Sequence, residues 1–313
     1  MNAFITLENE IRTALPELPL ERDVPMSAYT TLRLGGPADL MAQPGTVEEM
    51  TVLLALAKHG GCPVTVLGHG SNLLVLDGGI RGLVIRMGKR FADIDVSGNE
   101  IRAGGGAMLS VISMTAARNN LDGLAFASGI PGTAGGAAMM NAGAYGGSMS
   151  DIIFLVEGID TDGRSFRYTG DEMNFGYRTS RLRPGTDIVT RITLRLSEGI
   201  REKIESEMRE LNCRRAEKQP LNEASAGSTF KRPEGCFAAA LIEQCGLKGL
   251  ALGGAAVSEK HAGFLVNRGG TAADFLNLIR LVQDKVFEKT GVRLEPEVRI
   301  IGENRIPGRD EHT

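Results

Sequence analysis

The chain has 313 residues, a net charge of −3, 42% apolar residues and 23% charged residues. That length suits two domains with a sizeable core, and the nearly neutral charge excludes the broad positive field that holds nucleic acid. No apolar run reaches the ~18 residues of a membrane span, and the acidic start MNAFITLENEIRTALP does not read as a secretory leader. Cys62, Cys213, Cys236 and Cys245 form no CxxC pair and have no histidine at metal-ligand spacing. They are expected to be reduced, mostly buried thiols in a cytoplasmic chain, with no metal site.

In chain order, residues 1–23 read as an amphipathic lead-in helix ending near Pro16, and Tyr29–Pro37 as a short strand running into a turn. Thr46-Val-Glu-Glu49 is a capping box, and Val47, Met50, Leu54 and Ala57 continue it at helical spacing up to Gly60-Gly61. Val64–Leu67 predicts a buried strand, followed by short strands at 73–75 and 83–87. Ser97-Gly98-Asn99 predicts a hairpin turn between 94–96 and 101–103. A helix follows Gly104–Gly106, with Met108, Val111, Ile112 and Thr115 on one face. Two glycine-rich loops, 129–136 and 141–147, flank a small apolar helix at Ala134–Met140. A hairpin at 156–168 and a strand at 188–196 close this region. Behind it come a charged helix over 200–217, with Ile200, Ile204, Met208 and Leu211 inward, and a helix over 272–288, with Phe275, Ile279, Val282 and Val286 inward. Strands at 262–267 and 292–301 flank the second of these helices.

Glycine is the outlier, and its 41 residues cluster beside apolar runs. That placement argues for backbone pressed against a ligand rather than for a linker. Gly68-His-Gly-Ser-Asn72 follows a strand but lacks the third glycine and the helix of a dinucleotide fingerprint. Its run of backbone N–H groups still suits a diphosphate. The 129–147 loops suit a flat or anionic ligand, and the two loops together favour a large dinucleotide. In Gly176-Tyr177-Arg178, an arginine in a polar turn has the fork to clamp a carboxylate or phosphate. Ser228, behind Gly227, is either a proton donor or a capping residue. Glu295 and Glu297 alternate on the last predicted strand, and spacing does not choose between them.

These pieces, taken in order, resemble one family. Thr30-Thr31, Gly35-Gly-Pro-Ala-Asp39, GHGSNLLV, GIPGTAGGAAMMNAGAYGG, YRTSR, SAGSTFKRP, HAGFLVN and GVRLEPEVRIIGE fall between residues 24 and 303 as they do in UDP-N-acetylenolpyruvoylglucosamine reductases. The resemblance implies an α+β fold: a vanillyl-alcohol-oxidase-type FAD-binding domain over 1–197, with subdomains of about 1–88 and 89–197, and an α+β substrate lobe over 198–313. It implies non-covalent FAD, NADPH as hydride donor and a UDP-linked enolpyruvyl sugar as substrate, in a cytoplasmic monomer that engages neither nucleic acid nor membrane and serves peptidoglycan precursor synthesis.

By position the resemblance assigns catalysis to Arg178, Ser228 and Glu297, which selects Glu297 over Glu295. It assigns the cofactor to Gly68, His69, Gly70, Ser71, Asn72 and Leu73, to Gly129, Ile130, Pro131, Gly132, Thr133, Gly135 and Gly136, and to Asn141, Ala142 and Gly143. It assigns the substrate to Tyr177, Lys231 and His261. Only nine residues separate Arg178 from Ile188, so this resembles the shorter type that lacks a tyrosine-bearing loop. The family often has Asn where this chain has Arg232.

Overall fold

The computed structural model describes residues 3–304. The chain divides into two compact units, neither continuous in sequence. One comprises the described residues up to Arg22, Leu40–His69 and Gly82–Arg215; the other comprises Asp23–Asp39, Gly70–Arg81 and the described residues from Ala216 onward.

The first unit holds two cores. In one, Leu7 and Ile11 of the helix Ala3–Ala14 join Met50, Leu53 and Leu54 of the helix Val47–His59. The same core takes in Leu83 and Ile85 of the strand Ile80–Arg86, which runs parallel to Val64–Leu67. The capping box at Thr46 forms in part. Its hydroxyl accepts the Glu49 N–H at 3.1 Å, while the Glu49 carboxylate takes the N–H of Gly45 rather than that of Thr46.

The second core lies on a five-stranded antiparallel sheet. Its order is Ser165–Thr169, Ile153–Asp160, Asp187–Arg195, Glu100–Gly104, Ile94–Ser97. Both predicted hairpins are present, with Gly158 opposite Phe166 and Val96 opposite Ile101. Helices Leu109–Arg118 and Ala134–Met140 also contribute to this core. The inward face of the first differs from expectation. Leu109, Ile112, Ser113 and Ala116 are buried, while Val111 is exposed.

The second unit is a four-stranded antiparallel sheet, ordered Ala224–Ser228, Phe264–Asn267, Ala255–Val257, Ala251–Leu252. The helix Ala272–Thr290 buries Phe275, Ile279, Val282 and Val286 as its spacing predicts. It starts at a full capping box between Thr271 and Asp274, and Asp77 accepts the N–H groups of Ala272 and Ala273 at 2.8 and 2.9 Å. Leu32, Leu34, Leu74 and Leu76 lie in this core, which is why two early segments belong to the rear unit.

Several expectations are corrected. A single cut after residue 197 does not describe the units. The helix Arg201–Lys218 turns Ile204, Met208 and Leu211 onto Ala117 and Ala125, and so stays with the first unit as far as Arg215. Ile200 lies before that helix and is exposed. Tyr29–Pro37 is no strand: the Thr30 hydroxyl donates to the Leu34 carbonyl at 2.9 Å and closes a turn, and the strand is Pro37–Ala42. The last strand is only Arg299–Ile301, parallel to Leu73–Val75, because the N–H groups of Glu297 and Val298 go instead to the Thr229 carbonyl. None of the four free cysteines is buried, and Cys213 is exposed.

Candidate active site

The loop Gly68–Asn72 leaves the strand Val64–Leu67 without entering a helix, as its sequence requires. Among the described residues, the N–H groups of Gly68, His69, Gly70, Ser71 and Asn72 donate to no protein acceptor. Five such donors in succession, with no acidic side chain among them, suit an anion. Gly70 is obligatory here: its φ is +69°, and a Cβ would lie 2.1 Å from the Tyr29 carbonyl oxygen. The His69 imidazole is held below its ordinary pKa by burial of part of the ring and then by the charge of Arg86, so it is neutral near pH 7. The Asn72 side chain turns the other way and donates to the Glu297 carbonyl at 3.1 Å. Leu73 starts the strand that pairs with Arg299.

In the second glycine region, Gly105 and Ala107 carbonyls take the N–H groups of Gly135 and Ala134, and Ile130 and Gly132 bond within their own turn. The N–H groups of Gly129 and Gly136 have no protein acceptor among the described residues. A Cβ on Gly136 would touch only the Thr133 hydroxyl, at 3.7 Å, so this side of the loop is open. Sequence reading missed Arg215, at the end of the first unit. Its Nε is withdrawn from water without a hydrogen-bond partner, and burial lowers its pKa. Its only signal in the sequence is a place on the inward side of a charged helix. A cation so desolvated calls for an anionic group. Within the first unit, the idle N–H donors of Gly68, His69, Gly129 and Gly136, the open face at Gly136 and the unpartnered Nε of Arg215 each suit a diphosphate-bearing dinucleotide such as FAD.

The catalytic candidate of the first unit, Arg178, is positioned through Asn141. The φ of Asn141 is +41°, ending the helix Ala134–Met140, and its amide nitrogen donates to the Gly176 carbonyl at 3.1 Å. Gly176 and Thr179 close a two-residue turn that carries Tyr177 and Arg178. Arg178 adopts φ +55°, a strained conformation for a side chain of its size, which sequence alone does not reveal. Its guanidinium donates to the Gly143 carbonyl at 3.1 Å and the Asn141 carbonyl at 3.4 Å and lies over the Tyr177 ring, whose edge is exposed. The structure therefore brings Arg178, Tyr177, Asn141 and Gly143 together.

In the second unit, Ser228 ends the strand Ala224–Ser228 opposite Phe264, after a bulge at Gly227. It is exposed, and its hydroxyl has no hydrogen-bond partner among the described residues. Thr229 accepts the N–H of Glu297 on its carbonyl at 2.8 Å, and Phe230 bridges to Pro296, so the Ser228 and Glu297 segments run side by side. The structure separates the two glutamates: Glu295 is exposed and ion-paired with Lys231, and Glu297 is half-buried. His261 sits in the loop between Ala255–Val257 and Phe264–Asn267, edge-on to Phe264. Among the described residues no group of three or more acidic, histidine or cysteine side chains is placed to hold a metal.

A model of FAD binding domains matches residues 38–169. With the donor set of the glycine loops, this makes the chain an FAD-dependent oxidoreductase. A second model, the C-terminal domain of UDP-N-acetylenolpyruvoylglucosamine reductase, matches residues 219–301. The chain is 50% identical over 282 residues to UDP-N-acetylenolpyruvoylglucosamine reductase of Clostridium botulinum, covering 90% of this chain and 92% of that one. It is 48% identical over 283 residues to the enzyme of the same name from Clostridioides difficile, covering 90% and 93%. A crystal structure of UDP-N-acetylenolpyruvylglucosamine reductase (MurB) from Thermus caldophilus superposes with a TM-score of 0.79 at 41% identity, covering 90% of this chain and 99% of that one. The chain belongs to the UDP-N-acetylenolpyruvoylglucosamine reductase family, and the expected α+β class with an FAD-binding front is borne out.

Proposed function

We propose that this chain uses NADPH to reduce the enolpyruvyl group of UDP-N-acetylenolpyruvoylglucosamine, giving the muramate sugar of peptidoglycan precursor synthesis, with Arg178, Ser228 and Glu297 as its catalytic residues. The observation that carries the reading is the separation of the two glutamates beside a free serine hydroxyl. Glu295 is taken up by Lys231, whereas Glu297 is half-buried on a segment hydrogen-bonded next to Ser228.

FAD, bound non-covalently by the Gly68–Leu73, Gly129–Gly136 and Asn141–Gly143 loops, supplies the hydride chemistry. Addition of hydride to the terminal carbon of an enol ether places negative charge on the neighbouring carbon and its carboxylate. Arg178, always charged and already oriented by two carbonyls, stabilises that charge as it develops. Glu297, half-buried on the segment beside Ser228, acts on the same intermediate. The Ser228 Oγ–H gives its proton to the charged carbon; the acceptor is basic enough for an unactivated hydroxyl to serve. Tyr177, Lys231 and His261 contact the sugar nucleotide.

A chain of this kind works in the cytoplasm as a monomer, without nucleic acid or membrane. Among the described residues no helix is long and apolar enough to cross a membrane. The deciding experiment is NADPH oxidation by the FAD-loaded protein with and without the enolpyruvyl sugar. Turnover that requires the sugar, with parallel double-reciprocal lines, supports the reading. Oxidation to the same extent without the sugar, with oxygen as acceptor, makes the chain an oxidase instead.

A further inference from the structure

Arg178 keeps its left-handed φ of +55° only while its surroundings hold it there. The bonds that do so come from residues 139–143. The Asn141 amide nitrogen donates to the Gly176 carbonyl at 3.1 Å, and the Ser180 hydroxyl donates to the Met139 carbonyl at 2.9 Å. The Arg178 guanidinium itself donates to the Asn141 and Gly143 carbonyls. Two of these anchors are in turn fixed from residues 148–151. Gly143 pairs with Ser148 in a short antiparallel ladder, and the Asn141 Oδ1 accepts the Ser150 N–H at 2.9 Å. That second bond decides which way the amide faces: with Oδ1 on an N–H group, Nδ2 is left to meet the Gly176 carbonyl.

The hydroxyls behind Asn141 order themselves by what each group is able to donate. The Ser148 Oγ gives its one proton to the Asp151 carboxylate at 2.9 Å, because a carboxylate only accepts. The Ser150 Oγ, 2.8 Å from the Ser148 Oγ, therefore donates to it, and is left to accept from the Asn141 Nδ2 at 3.4 Å. Asp151 also accepts the Ser148 N–H at 2.8 Å, which closes a capping box about the single turn Met149–Asp151. The result is one directional chain from Asn141 through Ser150 and Ser148 to Asp151, polarised toward the carboxylate at its end. Ser148 is the junction. Its backbone pairs with one anchor of Arg178, and its hydroxyl supports the other.

We propose that Ser148 and Asp151 are positioning residues for Arg178, keeping its guanidinium aimed at the charge that develops on the sugar. They act through Asn141 and Gly143 and supply neither proton nor charge to the reacting atoms. This deepens the functional reading above and rests on it.

Ser148→Ala and Asp151→Ala should each slow reoxidation of the reduced flavin by the enolpyruvyl sugar roughly 3- to 30-fold, the range for losing one or two hydrogen bonds. Asp151→Asn keeps an acceptor oxygen and Ser148→Thr keeps the hydroxyl, so both should lie within about two-fold of the parent. FAD content and flavin reduction by NADPH should stay near the parent. So should the affinity of the oxidised holoenzyme for the sugar, read from perturbation of the flavin absorbance. An interaction that strengthens only as charge develops leaves ground-state binding alone.

A double-mutant cycle with Arg178→Lys separates positioning from a general structural role. A residue that acts through the guanidinium has little left to position once the guanidinium is gone, so Ser148→Ala should slow the Arg178→Lys enzyme by less than about two-fold. A structural role would slow both backgrounds alike and would lower FAD content and flavin reduction as well. Multiplicative effects in the cycle, alanine variants that reoxidise at the parent rate, or Asn and Thr variants as slow as the alanine ones overturn the proposal. An Arg178→Lys enzyme that reoxidises at the parent rate instead overturns the role given to Arg178 beneath it, and the proposal with it.

Discussion

The two units present their chemistry by different means. In the first, the candidate groups are mostly backbone: the idle N–H donors of Gly68, His69, Gly129 and Gly136, and an arginine whose own direction is fixed by two backbone carbonyls. In the second, beside the N–H groups of Gly70, Ser71 and Asn72, they are side chains, the Ser228 hydroxyl and the Glu297 carboxyl above all. Backbone donors grip a cofactor in place without rotamer freedom to lose. A proton is more readily supplied by a side chain, since hydroxyl, carboxyl, imidazole or thiol groups release one at far lower cost than a backbone amide.

The contrast predicts that the two half-reactions separate by unit. Ser228→Ala should leave FAD content and flavin reduction by NADPH nearly intact. Reoxidation by the enolpyruvyl sugar should fall by on the order of 10²–10⁴, and Ser228→Cys should recover part of it. Stopped-flow absorbance resolves the two steps. If the Ala variant reoxidises at the parent rate, the second unit does not supply the proton through this residue.

Arg178 sharpens the contrast from the other side, since it belongs to the first unit yet is assigned to substrate charge. Lysine keeps the charge but loses the planar fork held by the Asn141 and Gly143 carbonyls. A loss of about 10²–10³ is expected in the sugar half-reaction alone. An equal fall in flavin reduction would mean that Arg178 holds the cofactor or the local fold.

Gly70→Ala should act on cofactor retention rather than on either step. The new Cβ meets a backbone oxygen and the residue keeps a left-handed φ, which together cost about 1–3 kcal/mol or more. Thermal unfolding and quantitation of bound FAD test this. A variant as stable and as yellow as the parent would remove this loop from the cradle.

The smallest effects concern helix starts. Thr271→Ala removes one half of a reciprocated capping box in the second unit, and Thr46→Ala removes an unreciprocated cap in the first. Each should cost about 1 kcal/mol in denaturant unfolding, with Thr271 the larger. A cost at Thr46 exceeding that at Thr271 would break this ranking.

Local patterns made much of the chain legible. Helical spacing and caps gave Val47–His59, Ala134–Met140 and Ala272–Thr290, and turn residues gave both hairpins, because the forces that set these elements act between residues a few positions apart. The idle donors of Gly68–Asn72 follow from the same local chemistry. Tertiary structure decided what depends on distant partners. Alternation placed Glu295 and Glu297 on one face of a strand, but the strand begins only at Arg299, and an ion pair with Lys231 together with a backbone bond to Thr229 distinguishes them. The left-handed φ of Arg178 is held by carbonyls some 35 residues away in sequence. The assignment of 23–39 and 70–81 to the rear unit comes from Leu32, Leu34, Leu74 and Leu76 entering its core, a choice made by burial among residues far apart in the chain and invisible to any local period.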